Sequence, residues 1–303
     1  EERLAVEETR AALGEILGDR VTKLRGRRLE PEIPYPNGFA GSELVHILVS
    51  EARSPVVDIA NAIQPVAAKV LRFELSALGV GSRERVGPRD GHPTRHFADK
   101  IARCLGIEAF ELYLTPSWNG AIRCYPGETP ALVGPTLLAD LPETEQMFAL
   151  GRLLSRVALG TTWLDEVSTE IGDALLISAV RSVAPQFAAG ELSPQREHAV
   201  QSLLPAMQRA IGRKQRRQIE EALQAHLPIW DFRAFSIGVR RSEYRAAYAM
   251  CGDLLASLEY LRRYDSDIGR AVDNPRVYLQ HPVTNELIRY ALSSEGYTER
   301  RRV

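Results

Sequence analysis

Arg152 and Arg156 stand four residues apart in the stretch EQMFALGRLLSRVALG, residues 145–160, so a helix carries both on one face. Around them lie Met147, Phe148, Leu150, Leu153, Leu154, Val157 and Leu159. Enclosing a guanidinium among such side chains is costly unless carboxylates or carbonyls receive it. Either carboxylates on neighbouring helices pair with these arginines, or their stems pack while the heads reach solvent. Three further groups have chemistry-bearing spacing. His92 and His96, with Cys104 eight residues on, form a possible metal face, although Pro93 suits a helix start and would leave His92 as a cap or loop residue. Glu166, Glu170 and Asp173 share a helical face and are candidate partners for the arginines. GRKQRRQ, residues 212–218, is a basic run without interleaved aromatics, which reads as a solvated helix face.

The elements that must position these residues follow from periodicity. Helices are expected near 3–18, 41–51, 55–78, 94–106, 142–158, 164–184, 195–211, 214–226 and 232–263, with two short ones in the tail. DRVTKLRGRRLE reads as an extended basic segment, PEIPYPNGF as a loop, and GVGSRERVGPRDGHP as a linker rich in glycine and proline. The strand signals cluster in AFELYLT, AIRCYP and PALVGPTLL. The predicted fold class is therefore α+β, helix-dominated, with a small antiparallel or mixed sheet. Three regions are expected: residues 1–92 as an N-terminal helical region with linker, 93–264 as the core, and 265–303 as a tail packing on it.

Composition narrows the function classes. The 303 residues carry a formal net charge of −1, so no overall field draws the chain to nucleic acid or to an acidic membrane. No apolar run approaches the roughly 18 residues of a membrane span. Cys104, Cys124 and Cys251 are scattered among apolar residues, which suits reduced thiols and a cytoplasmic location. The chain opens at Glu1, as expected for a piece of a longer parent chain. A P-loop, a G-x-S-x-G elbow, a C-x-x-C pair and a dinucleotide fingerprint are all missing from the sequence.

In order and spacing, the run IEAFELYLTPSWNGAIRCYPGETPALVGPTLLADLPETEQMFALGRLLSR resembles the soluble zinc metallopeptidases related to the CaaX prenyl endopeptidase. The resemblance covers about residues 95–260 and implies a zincin-like helical core. In active members two histidines in H-E-x-x-H hold zinc, and the glutamate is the general base. Aligning the helix starts puts Arg152-Leu153-Leu154-Ser155-Arg156 on that motif. The third ligand, from an E-x-x-A-D pattern, falls on Tyr244, with Ala247 on the alanine and Tyr248 on the aspartate; Glu243 is one residue away. A guanidinium offers no lone pair to a metal. The resemblance thus implies a pseudoenzyme without metal or cofactor, of the kind attached to helical repeats in bacterial proteins. Its expected role is protein interaction or scaffolding, toward a protein partner or the rest of a parent chain. One alternative is a peptide-binding module that receives an extended peptide along an edge strand at Ala131, Leu132 and Val133. The other is a hydrolase using a site near His92 and His96.

Overall fold

The computed structural model describes residues 2–12, 38–224, 230–265, 268, 280–293 and 295–296. The basic extended segment, nearly all of the PEIPYPNGF loop and the NPRVYL part of the tail lie outside the described residues. In chain order the helices before the sheet are α1 (Glu2–Ala12), α2 (Ser42–Ile47), α3 (Pro55–Leu71) and α4 (Pro93–Cys104). The strands β1 (Glu111–Thr115), β2 (Arg123–Tyr125) and β3 (Ala131–Pro135) follow. After them come α5 (Glu143–Ala158), α6 (Thr169–Arg181), α7 (Pro194–Ala210), α8 (Arg213–Leu223), α9 (Phe232–Cys251), α10 (Leu254–Tyr264) and α11 (Pro282–Ala291). The fold is α+β and helix-dominated, with one small mixed sheet. None of the described helices is long and apolar enough to cross a membrane.

Local chemistry sets several boundaries that periodicity misplaces. The helix expected over 55–78 ends at Leu71, because Arg72 turns left-handed at φ 54° and its N–H closes on Ala68 and Lys69. The helix expected over 232–263 is two helices. Gly252 takes φ 60°, and Asp253 then caps α10 by accepting from the Ala256 N–H at 2.9 Å. Likewise α6 starts at Thr169 rather than 164, after Ser168 accepts from the Ile171 N–H.

The sheet order is β1-β3-β2, with β3 parallel to β1 and antiparallel to β2. Ala131, Leu132 and Val133 are therefore in the central strand, not at an edge, and both of its sides are paired. All five residues of β3 are also buried, so both of its faces are covered as well. Gly134 contributes to this, since a Cβ there would lie 2.9 Å from that of Ile122. The far side of β1 is met by the 84–86 segment, where the Val86 N–H donates to Leu112 O at 2.7 Å and the Leu114 N–H to Glu84 O at 2.9 Å. Among the described residues of the tail, α11 packs on α9, α10 and α1.

Successive strand residues feed two cores. Leu112, Leu114, Cys124 and Leu132 join the helices, while Tyr113, Tyr125, Ala131 and Val133 pack with Val80 on the opposite face. The larger cluster runs from Phe39 to Ala291, so it continues across positions 92 and 264 where region boundaries are expected.

Gly160, just past the end of α5, holds φ +69° and sits so close to α3 that a Cβ would fall 2.2 Å from Asn61 Cα. Gly160→Ala combines a left-handed strain with a backbone clash, and a loss of about 2–4 kcal/mol is expected. Chemical denaturation checks this, an unchanged midpoint meaning that the α5 end and α3 do not meet in this way.

Candidate functional site

The α5 helix carries Glu143 and Glu145 in its first turn and Arg156 in its last, each sign complementing the dipole at its end. The Gln146 side chain locks the entry by accepting from Thr94 Oγ1 at 3.0 Å and donating to Leu141 O at 2.8 Å. Gly151 then lets α9 approach closely, for a Cβ there would lie 3.2 Å from Ala247 Cα. Glu243 lies one turn before Ala247 on α9 and meets the arginine face of α5.

Arg156 is the centre of the site. Its Nε donates to Glu243 Oε2 and its Nη1 to Asp165 Oδ2, while Nη2 reaches Glu243 Oε1 at 3.3 Å and Asp165 Oδ1 at 3.4 Å. Arg156 and Glu243 are 3 % and 1 % exposed at their side chains, so this is a buried pair. Burial works against the guanidinium's charge, yet Glu243 and Asp165 outweigh it and hold its pKa above the usual value. Asp165 is bound a second time by Arg240 Nη2 at 2.9 Å. Burial would raise the Asp165 carboxyl, but the stronger pull of Arg156 and Arg240 keeps it below its ordinary 3.8.

Arg152 stands differently. Its Nε is 4.0 Å from Glu243 Oε1, beyond hydrogen-bond range, and its guanidinium carbon lies 5.7 Å from the centre of the Tyr244 ring. Tyr244 stacks near Phe148, which in turn meets Tyr260 edge-on at 5.7 Å. Leu153 is a core residue at 1 % exposure. The fold thus brings Arg152, Arg156 and Tyr244 to one helix crossing, together with Glu243.

The carboxylate stripe goes elsewhere. Glu166 pairs with Arg123 at 2.7 Å, Asp173 with Arg196 at 2.7 Å, and Glu170 is exposed near its own helix start. The carboxylate that receives Arg156 from this region is Asp165, which helical periodicity does not single out because it precedes the helix. Its position is set by the 160–166 turn, anchored by the buried Trp163 whose Nε1 donates to Gly160 O at 3.0 Å.

His92 caps α4 as expected, and with Arg95, His96 and Asp99 it lines a cleft of about 310 Å³. Cys104 is sealed at the far end of that helix, where burial pushes its thiol up to about 11. Among the described residues no three His, Cys, Asp or Glu side chains are grouped to hold a metal ion, so the face formed by His92, His96 and Cys104 does not assemble. The three cysteines are free and buried. In the basic run, Arg217 pairs with Glu221 at an exposed position and Arg216 donates to Ser182 O at 3.1 Å.

Removing Arg156 strands Glu243 in the core. Arg156→Met is expected to cost about 3–5 kcal/mol, with partial recovery in Arg156→Met/Glu243→Leu because both charges leave together. Urea melts of the two variants test this, a double variant as unstable as the single one arguing against the pair. Asp165→Asn is expected to cost about 1–3 kcal/mol at neutral pH. Because the folded carboxyl titrates below 3.8, its contribution is complete above that value and is lost as pH falls beneath it, so the gap between wild type and Asp165→Asn narrows in acid. A gap constant from pH 7 to pH 2 contradicts the assignment.

Compared with protein-family models, curated proteins and solved structures, the chain matches none.

Proposed function

We propose that the chain is a non-catalytic protein-interaction or scaffolding module with a metal-free, metallopeptidase-like core. What supports this reading is the Arg156 guanidinium held by Glu243 and Asp165 where α5 crosses α9. The zincin resemblance puts Arg152 and Arg156 on the two histidines, Tyr244 on the third ligand and Leu153 on the general base. On that reading the polarity is reversed: cations stand at the positions where an active member gathers metal-binding lone pairs. The buried positive charge that zinc supplies in such enzymes is here covalently part of the chain. A guanidinium is never deprotonated in a protein, so the site neither holds a metal through these residues nor activates water upon one.

A partner-facing role follows from what the chemistry leaves. The helix pair is rigidified by its ion cluster, and the scaffold retains loops and helix faces for contact with a protein partner or with further segments of a parent chain. Of the two rival readings, the peptide-binding one loses its receiving edge, since β3 is paired on both sides. The hydrolase reading keeps a cleft at His92 and His96.

Purified protein is expected to carry far less than one zinc per chain by elemental analysis and to show no chelator-sensitive cleavage of casein or a peptide library. Stoichiometric zinc or such cleavage overturns the proposal. A complementary variant tests the peptidase-like core itself: Arg152→His, Leu153→Glu, Arg156→His and Tyr244→Glu together should gain zinc binding near one per chain. A folded variant that takes up no zinc argues that the crossing is not zincin-like.

A further inference from the structure

Between Arg209 and Arg217 the chain carries five cations in nine residues: Arg209, Arg213, Lys214, Arg216 and Arg217. No Asp or Glu falls between 198 and 219, although the whole chain has a formal net charge of −1. The run spans the end of α7, the turn at Ile211 and Gly212, and the first turns of α8. Hydrogen bonds make that corner one unit. The Ile211 N–H closes on Met207 O at 2.9 Å, the Arg216 N–H on Gly212 O at 3.1 Å, and the Gly212 N–H donates to Gln215 Oε1 at 3.2 Å. The Arg216 guanidinium ties the corner down by donating to Ser182 O at 3.1 Å and to Gln208 O at 3.5 Å. Met207, Ile211, Ile219 and Ala222 are buried in the main core, whereas Arg209, Arg213, Lys214 and Arg217 are exposed. The corner therefore turns its cations outward.

Little within the fold neutralises this patch. Among the described residues Arg209, Arg213 and Lys214 make no ion pair, and Arg216 spends its donors on carbonyls, which carry no net charge. Arg217 meets Glu221 at 2.8 Å, but both side chains are exposed, and such a pair is weak in water and opens readily to another anion. The first turn of α8 holds no acidic residue, so Arg213, Lys214 and Arg216 add to the positive end of the helix dipole instead of opposing it. The chain itself keeps the cations together. At most about 14 Å of extended chain separates Arg209 from Arg213, and about 6 Å of helix separates Arg213 from Arg217. A nucleic-acid duplex presents one negative charge per about 1.7 Å of its axis, so several phosphates fall opposite a patch of this length.

We propose that the α7–α8 corner binds the phosphate backbone of a double-stranded nucleic acid without reading its sequence. Arginine forks and a lysine ammonium take phosphate oxygens, and the exposed Gln208 and Gln218 add neutral donors beside them. No Phe, Tyr or Trp occurs between 188 and 229, so the patch offers no ring on which the bases of a single strand could stack. The exposed large hydrophobic residues, Val6, Val45, Leu137, Ile237 and Leu292, all lie outside α7 and α8. A protein interface draws on such anchors at its centre, and a membrane-surface helix inserts them. Charge without apolar surface fits a phosphate backbone best. The inference uses nothing of the α5–α9 crossing or of the peptidase resemblance.

The test titrates the full chain into a labelled DNA duplex of about 20 base pairs and mixed sequence, with fluorescence anisotropy read at several salt concentrations. Saturable binding is expected, its log affinity falling against log salt with a slope of about −2.7 to −4.5, as three to five phosphate contacts require. Arg213→Gln/Lys214→Gln/Arg217→Gln is expected to weaken binding at least tenfold and to flatten the slope by about 2–3. Arg83→Gln/Arg89→Gln/Arg103→Gln removes the same charge from exposed positions elsewhere and is expected to leave binding within about twofold of wild type. If the first triple variant does not fold, Arg213→Gln/Lys214→Gln carries the comparison. A single strand of the same length, polyglutamate and phosphatidylserine vesicles compete at equal charge concentration, and each is expected to bind more weakly than the duplex. No saturable duplex binding, equal weakening in the two triple variants, or a competitor that binds more tightly than the duplex overturns the proposal.

Discussion

A guanidinium enclosed between two helices needs opposite charge within hydrogen-bonding reach, and Arg156 obtains it from two elements at once. Glu243 comes from the middle of α9, and Asp165 from the turn that follows α5. Neither helix could bury its charged residue alone, because the unpaired ion would cost several kcal/mol. The pair therefore makes the α5–α9 crossing specific as well as tight. Replacement by apolar residues of equal volume would satisfy the hydrophobic requirement, but would leave the helices freer to slide.

Much of the surrounding structure serves this contact. Gly151 removes the side chain that would hold α9 away from α5, and Gly160 brings the end of α5 against α3. Trp163, with no exposed surface, pins the turn that presents Asp165. Arg240 stands at the outer side of that carboxylate, so charge complementarity extends from the core to the surface. The sheet contributes the floor. Cys124 of β2 packs into the helical core, and its thiol, pushed up to about 12 by burial, is a packing group rather than a nucleophile.

The chemistry open to the site follows from its sign. Arg156 spends its guanidinium on two carboxylates, while Arg152 lies 4.0 Å from Glu243 and against the Tyr244 ring. The contrast with the two histidines of the α4 cleft is instructive. There Arg95 spends its guanidinium on Asp99 and on the Val86 and Phe110 carbonyls, leaving His96 exposed beside a saturated ion pair.

The sequence by itself determined the helix-dominated class and the three strands in the middle of the chain, and it put two arginines on the apolar α5 face without deciding between buried pairing and heads that reach solvent. Those features are written in local periodicity and in turn residues, which act over a few positions. It also pointed at Tyr244 and its neighbour Glu243. It did not distinguish Arg156 as the paired residue from Arg152, nor Asp165 from the more regular stripe of Glu166, Glu170 and Asp173. Arg156 and Glu243 are 87 positions apart, and which of two arginines on one face meets that carboxylate depends on how α5 and α9 cross. Strand order was likewise decided in three dimensions: β3 follows β2 in the chain, yet also pairs with β1, an edge contact that side-chain pattern does not encode because it satisfies backbone groups. The division of 232–263 into two helices turned on a single glycine's left-handed φ, which an amphipathic pattern running through it conceals.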